Sequence, residues 1–335
     1  MAHNCKRACS FGRRDEDYIL DPELVKVFKR DGLAILPDLL TEDEISEIET
    51  VYDKFMNREI HVPGKDFCDM SKPYSTPFEE WSIVNCMLPT RYYPQFAQNI
   101  FERLAGKIAA QLFPDVTMVK DYDQLLNKRS GKRDAVFGWH QDMAYWPPPN
   151  ITRDTRTVTF SLAIDETTEE NGCIRYVPGS QKSQRLRRHA PLGANRDDAH
   201  AVRLELDADD VVKLAPCRRG SATIHDEYVV HGSGGNASPG QRRTYVLALR
   251  TSETVAKERA IGFTHSHNDK TNWDNWSEAA TCPPKSSSPL SSSKYFVWLS
   301  GRVRSVRRKL ELTFARVLSW PKWKIAARLM LFSKL

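Results

Sequence analysis

The sequence contains no run of about 18 apolar residues, so it offers no segment that could cross a bilayer as a helix. Its N-terminus (MAHNCKRACSFGRRDEDY) is basic and lacks the apolar middle that a secretory signal requires. The seven cysteines form no Cys-x-x-Cys pair, which argues against a zinc knuckle or a disulfide framework and favours a reducing compartment. These absences predict a cytoplasmic protein.

Acidic residues are nearly missing from the end of the chain. The 335 residues carry 49 Lys and Arg against 43 Asp and Glu, a net charge of +6. Residues 291–335 contain eleven Lys and Arg and a single acidic residue, so the tail holds +10 and the remainder about −4. The body and the tail are therefore expected to be separate parts of the protein.

Composition divides the chain into four predicted segments. They are a flexible leader (1–17), a folded domain (18–280), a Pro/Ser linker (281–293) and a basic amphipathic helical tail (294–335). The tail either contacts an anionic membrane surface or packs on its own domain, and the sequence leaves both hypotheses open. The acidic body argues against nucleic acid as a partner, and nothing in the sequence indicates the oligomeric state.

The body starts with helical signals and continues with strand signals. Helices are predicted at 22–29, 41–56 and 94–112, the second of them started by a capping box of Thr41 and Glu44. Strands are predicted at 33–36, 116–120, 124–127, 157–164, 174–177, 211–214, 221–224 and 244–249. Many short strands separated by Gly and Pro pairs predict a β-barrel or sandwich, with the helices as a supporting layer.

The segment Trp139-His140-Gln141-Asp142 carries the chemistry. Residues two apart on a strand share a face, so His140 and Asp142 would present an imidazole and a carboxylate side by side. His231, which follows an apolar run and precedes a Gly-rich turn, is the candidate third ligand. Two histidines and one carboxylate leave three metal positions open, which is typical of non-haem Fe(II) oxygenases.

Arg242 comes eleven residues after His231, with Arg243 beside it. A buried guanidinium near such a metal is suited to bind a carboxylate through two parallel hydrogen bonds. A ligand with one end on iron and a carboxylate at the other end fits this arrangement, as 2-oxoglutarate does. Each motif is weak alone, and their order along the chain is what favours the site.

Four segments in this order resemble the phytanoyl-CoA dioxygenase family of Fe(II)/2-oxoglutarate oxygenases: DGLAILPDLLTEDEI, DQLLNK with FGWHQDMAYWP, NGCIRYVPGSQK and HGSGGNASPGQRR. The resemblance covers roughly residues 30–270. It implies a mainly β fold with flanking helices and a double-stranded β-helix (jelly-roll or cupin-like) core, so that 18–280 would be the oxygenase domain. It also implies hydroxylation of an unactivated C–H bond of a small-molecule metabolite, with release of succinate and CO2.

The resemblance also implies the ligands and their residues. Fe(II), 2-oxoglutarate and O2 are the expected cofactor and co-substrates, with ascorbate as an optional reductant. His140, Asp142 and His231 would be the catalytic metal ligands. Arg242, rather than Arg243, would bind the 2-oxoglutarate carboxylate.

Further contacts follow from the same resemblance. Ser233, which shares a face with His231, and Gln124 are expected to contact 2-oxoglutarate. Tyr145 and Phe137 flank the metal strand and are expected to contact the substrate. Other histidines near the motifs are expected at the surface or in supporting roles: His225, His265 and His267.

Two other classes of function remain open at this point. A zinc hydrolase could use the same two histidines and aspartate, although it would leave Arg242 without a role. An inactive relative could act as a binding module, although all of the ligand positions are filled.

Overall fold

The structure is a computed structural model, which describes residues 17–149, 151–193, 199–269 and 271. All of these residues lie in one unit, Met1–Cys282. Nearly all of the predicted leader, the predicted linker (281–293) and the predicted tail (294–335) lie outside the described residues, so the segment boundaries and the membrane contact stay predictions. Within the described ranges, no helix is both long and apolar enough to cross a membrane.

The described residues form five α-helices and thirteen strands, joined by loops and short 3₁₀ turns. The helices are α1 (Pro22–Asp31), α2 (Glu42–Met56), α3 (Pro89–Tyr92), α4 (Ile100–Leu112) and α5 (Ser252–Ala260). The strands are β1 (Leu33–Leu36), β2 (Phe67–Asp69), β3 (Ile83–Met87), β4 (Met118–Lys128), β5 (Phe137–His140), β6 (Thr157–Ala163), β7 (Ile174–Val177), β8 (Ala190–Pro191), β9 (Val202–Arg203), β10 (Lys213–Ala215), β11 (Ala222–His225), β12 (Val230–Ser233) and β13 (Arg242–Thr251).

The strands form two main antiparallel sheets. The major sheet has the order β1-β11-β6-β13-β4-β3-β2, and the minor sheet has the order β10-β7-β12-β5. Strands β8 and β9 pair separately. The mainly antiparallel β architecture with flanking helices agrees with the sequence prediction.

Strand periodicity gives the major sheet two different faces. On β13, Tyr245 points into the hydrophobic core, where its ring centroid lies 5.3 Å from that of Phe101 on α4. Its neighbour Thr244 points the other way, into a cavity. On β6, Phe160 lies in the same core while Thr159 lines the cavity. Because side chains alternate along a strand, one face packs on the helices and the other forms a site.

The three predicted helices are present, and two of them have other bounds, since α1 continues to Asp31, two residues beyond its predicted end. The capping box of Thr41 and Glu44 begins α2, and α1 ends before Gly32 in the left-handed conformation. The predicted helix 94–112 begins only at Ile100. Asn99 caps it by accepting a hydrogen bond from the Glu102 N–H at 3.1 Å, and the residues before it form a separate 3₁₀ turn.

The strand predictions are correct in place but not always in length. Strands 33–36 and 174–177 have the predicted bounds, whereas the predicted strands 116–120 and 124–127 are one strand, β4. The division was wrong because β4 continues through a bulge opposite Ala248 and Leu249. The predicted strand 244–249 extends at both ends to form β13. Helices α3 and α5 and strands β2, β3, β8 and β9 were not predicted.

Candidate active site

His140 is the last residue of β5, and Asp142 begins a 3₁₀ turn, Asp142–Tyr145. The prediction that His140 and Asp142 share one strand is therefore wrong. The Ala144 N–H donates to the Gln141 carbonyl, so the chain turns immediately after the histidine. The turn still places Asp142 Oδ1 3.7 Å from His140 Nε2, because only one residue separates the two.

His231 lies on β12, directly opposite His140 on β5. Gly232 allows this close pairing, since a Cβ there would lie 3.0 Å from the Phe137 carbonyl oxygen. His231 Nε2 lies 3.4 Å from Asp142 Oδ1, and one ligand atom from each of the three residues lies within 4.8 Å of the others. The three side chains are buried and together can hold a divalent metal ion.

Backbone carbonyls orient both imidazoles. His140 Nδ1 donates to the Gly138 carbonyl at 2.8 Å, and His231 Nδ1 donates to the Val229 carbonyl at 3.0 Å. Each histidine therefore keeps the lone pair of Nε2 for the shared centre. Burial lowers the pKa of His140 to about 3, and the neighbouring His231 contributes, so the imidazole is neutral and able to bind a metal.

Asp142 is held by partners on two strands of the major sheet. Its Oδ2 accepts hydrogen bonds from Thr159 Oγ1 at 2.9 Å and from His225 Nε2 at 3.1 Å. Burial opposes ionisation of Asp142, but His231 and His225 outweigh this effect and hold the pKa of the carboxyl well below its usual range. Oδ2 is thus bound by the protein, while Oδ1 faces the two histidines. Thr159 was not predicted, and His225 supports a ligand as expected.

A cavity of about 120 Å³ lies between the two sheets and contains the triad. Alternate residues of two neighbouring strands line it: Tyr122, Gln124 and Leu126 on β4, and Arg242, Thr244 and Val246 on β13. Ser233, Tyr145 and Phe137 line it as well. The structure therefore brings together all eight site residues that the sequence predicts.

Arg242 is only 3% exposed, and its Nε and Nη1 have no hydrogen-bond partner among the described residues. The buried hydroxyl of Thr244, two residues along the same face, is also without a partner there. Burial lowers the pKa of Arg242 to about 10, so the side chain is still a cation at neutral pH. An unpaired buried cation is costly, and a carboxylate in the cavity would satisfy it.

Arg243 points to the opposite face of the sheet. Its guanidinium lies 2.7 Å from Asp165 and 2.7 Å from Asp53, and it also pairs with Glu49. These partners tie β13 to α2 and occupy the whole side chain. Arg243 therefore faces away from the cavity that Arg242 lines.

Two hydrogen bonds between polar side chains lie near the Arg242 end of the cavity. Gln124 Nε2 donates to Asn85 Oδ1 at 2.7 Å, which fixes the amide within the lining. The buried Lys128 donates from Nζ to Ser233 Oγ at 2.6 Å. Burial, followed by Arg242 and Arg175, lowers the pKa of Lys128 well below its ordinary value. Lys128 was not predicted as part of the site.

Aromatic rings and imidazoles form the other end of the cavity. The Tyr145 ring stacks on His200 with centroids 5.2 Å apart, and its hydroxyl accepts from the Val202 N–H at 3.1 Å. His200 in turn stacks on His267 at 4.0 Å. His265 Nε2 donates to Asp121 at 2.8 Å. His265 and His267 follow α5 on a loop whose sequence carries no periodic signal, so their place in the cavity could not be predicted.

A second group also has metal-ligand geometry: Asp121, Glu258 and His265. Arginines already neutralise it, because Arg250 lies 2.6 Å from Glu258 and Arg259 lies 2.6 Å from Asp121. The triad has no such cation between its ligand atoms among the described residues. The triad is therefore the better candidate for a metal centre.

Comparison with known proteins identifies this architecture. The sequence model of the phytanoyl-CoA dioxygenase (PhyH) family matches residues 28–244, a segment that includes the triad and Arg242. The chain belongs to this family.

Individual relatives agree with the family assignment. The ectoine dioxygenase of Streptomyces avermitilis is 25% identical over 245 residues, which cover 69% of this chain and 79% of the relative. The crystal structure of EvdO2 from Micromonospora carbonacea var. aurantiaca, complexed with 2-oxoglutarate, matches with a TM-score of 0.56 and 23% identity over 70% of this chain and 92% of that chain. EctD from S. alaskensis, with 2-oxoglutarate and 5-hydroxyectoine, matches with a TM-score of 0.54 and 18% identity over 71% and 78%.

Membership of the PhyH family confirms the predicted double-stranded β-helix fold and the enzyme class. With its His-Asp-His triad intact, this PhyH-family protein is an Fe(II)- and 2-oxoglutarate-dependent dioxygenase. Two imidazoles and one carboxylate suit iron, and a guanidinium with two nitrogen atoms unpaired among the described residues suits a dicarboxylic acid in the same cavity. A requirement for ascorbate stays a prediction.

Proposed function

We propose that this PhyH-family protein hydroxylates an unactivated C–H bond of a small-molecule metabolite and converts 2-oxoglutarate to succinate and CO2. The observation that carries the proposal is the guanidinium of Arg242 in the cavity of the triad, whose Nε and Nη1 have no partner among the described residues. A zinc hydrolase would have no use for this cation. An inactive relative would not need three metal ligands that are each oriented by hydrogen bonds to other parts of the protein.

Each side chain has a separate role in the proposed reaction. His140, Asp142 and His231 bind the iron, which when present supplies the activation of O2. Arg242 and Ser233 bind the distal carboxylate of 2-oxoglutarate, and this fixes the direction from which the keto acid reaches the metal. Gln124, whose side-chain amide is held in place by its hydrogen bond to Asn85, contacts the carbon chain of the co-substrate.

The substrate occupies the aromatic end of the cavity. Tyr145 contacts it there, because it lines the cavity with its ring 5.7 Å from the ring of His140. Phe137 lines the cavity on the side of Ser233, opposite which it pairs, and its ring lies 6.4 Å from that of His140, so it contacts the substrate from that side. The buried Trp146 closes the same wall and helps to exclude water from the reacting atoms. The modest volume of the cavity supports a small molecule.

We also propose a cytoplasmic location. The four described cysteines are free thiols, as is usual in a reducing compartment: Cys68, Cys86, Cys173 and Cys217.

The proposal is tested by turnover of 2-oxoglutarate labelled at its carboxyl carbon next to the keto group. The iron-loaded protein is expected to release labelled CO2 and an equal amount of succinate, even without substrate, and only when O2 is present. The zinc-loaded protein is expected to release neither. When a mixture of small metabolites is supplied under ¹⁸O2, one component should gain a single labelled oxygen. Folded, iron-loaded protein that forms no succinate would contradict the proposal.

A further inference from the structure

Tyr176 on β7 lies beside the metal ligand His231. It is opposite His231 in the pairing of β7 with β12, and His231 is itself opposite His140 on β5. Directly opposed residues of antiparallel strands point to the same face, so the three side chains form one row across the minor sheet. The buried Tyr176 ring stacks on the ring of His231, with centroids 5.8 Å apart and planes at 29°. Tyr176 is therefore packed against the metal centre from the side of β7.

The hydroxyl of Tyr176 reaches from the minor sheet to the major sheet. Its oxygen lies 3.2 Å from His225 Nδ1 and 3.1 Å from Thr223 Oγ1. Thr223 and His225 are two residues apart on β11 and point to the same face of that strand. Burial raises the pKa of Tyr176 well above its usual value, so the phenol keeps its hydrogen and can donate one hydrogen bond.

The contact with Asp142 decides which nitrogen of His225 carries a hydrogen. His225 Nε2 lies 3.1 Å from Asp142 Oδ2, and an ionised carboxylate only accepts, so Nε2 is the donor. A metal ion at the triad disfavours a second positive charge on His225, whose ring lies 4.3 Å from that of His231. The neutral ring has one N–H, at Nε2, so its Nδ1 must accept. Tyr176 therefore donates to Nδ1 and accepts from Thr223.

We infer that Tyr176 is a positioning residue for the metal ligand Asp142, acting through the tautomer of His225. Tyr176 donates to Nδ1 of His225, and Nε2 of the same ring donates to Asp142 Oδ2. Because Oδ2 is held by the protein, Oδ1 is left for the metal ion. The inference rests on the metal centre of the proposed function rather than on its reaction, and Tyr176 itself is not a catalytic residue.

A purely structural role for Tyr176 would be to join β7 to β11. In that role the contact with Thr223 would matter as much as the contact with His225, because both partners lie on β11. The two roles therefore differ in which partner of the hydroxyl affects the metal ion. Thr223→Val is the matched control, since it removes one partner, nearly preserves the side-chain shape and leaves His225 in place.

The test measures dissociation constants of Fe(II) and Zn(II) by competition with a chelator, without 2-oxoglutarate or O2. Tyr176→Phe removes only the hydroxyl and is expected to weaken the binding of both ions about tenfold, since partners that orient a metal ligand are worth about 10–100-fold. Thr223→Val should keep the wild-type constants. So should Tyr245→Phe, which removes a buried tyrosine hydroxyl that is bound to Asn99 in the helical core.

Two further measurements test whether Tyr176 acts through His225. In a His225→Phe protein, whose ring cannot donate to Asp142, Tyr176→Phe is expected to weaken metal binding no further. This double variant leaves no imidazole nitrogen without its partner, so the comparison serves even if Tyr176→Phe alone does not fold. The ¹⁵N shifts of the His225 ring in the zinc-loaded wild type should show the hydrogen on Nε2.

Several outcomes would overturn the inference. They are unchanged metal affinity in folded Tyr176→Phe, equal losses in Tyr176→Phe and Thr223→Val, a further loss in the double variant, or a hydrogen on Nδ1 of His225. Failure of the proposed function has a different signature, since wild type would then bind both ions at the triad but form no succinate from 2-oxoglutarate.

Discussion

Replacing Arg242 by alanine is expected to raise the dissociation constant of 2-oxoglutarate about 100-fold. Truncating one partner of a buried, hydrogen-bonded charge pair costs on the order of 2–5 kcal/mol, and about 2.7 kcal/mol corresponds to this change. The loss should be confined to ligands with a distal carboxylate, because Arg242 lies at the end of the cavity away from Tyr145. Titration of the iron-loaded protein without O2 gives the constant.

Arg243→Ala is the matched control, since it removes the same group from the next residue of β13. Arg243 pairs with Asp165, Asp53 and Glu49 on the other face, so its loss should lower stability to denaturant and leave 2-oxoglutarate affinity within about twofold in the folded fraction. Equal affinities in wild type and Arg242→Ala would show that the carboxylate binds elsewhere.

Replacing Asp142 by alanine is expected to reduce 2-oxoglutarate turnover by about 1,000-fold. The substitution removes one of three metal ligands, and even supporting partners of a ligand are worth about 10–100-fold. It also leaves Thr159 and His225 without the carboxylate they bind. Iron content and succinate formation should fall together.

Asp43→Ala, an exposed carboxylate in the first turn of α2, should retain both iron and turnover. Retention of wild-type turnover by Asp142→Ala would place the metal outside the triad. Loss of turnover with full iron retention would assign Asp142 a role other than binding the metal.

Short-range patterns predicted the parts of the site that lie on single strands. The two-residue period places Ser233 on the same side as His231, and both line the cavity. The same period was wrong at Asp142, because the strand ends at His140 and a turn follows. Asp142 still lies beside His140, because only one residue separates the two in the sequence.

The contacts that the supporting residues make could not be predicted because these contacts depend on strand order. Thr159, His225 and Lys128 come from β6, β11 and β4, whose neighbours in the sheet are distant in the chain. No local pattern specifies that β11 pairs with β6, or that Lys128 lies opposite Arg242. Sequence motifs therefore identified the metal ligands, whereas the contacts that orient those ligands could be identified only from the order of strands in the sheet.

The most direct test of an iron and 2-oxoglutarate site is the visible charge-transfer band that forms when both are added without O2. Wild type is expected to form the band, and His61→Ala, which removes an exposed imidazole, should form it equally. His231→Ala should form none, because it lacks a ligand of the triad. A folded wild-type protein that forms no band and retains zinc instead would contradict the oxygenase function and favour a zinc hydrolase.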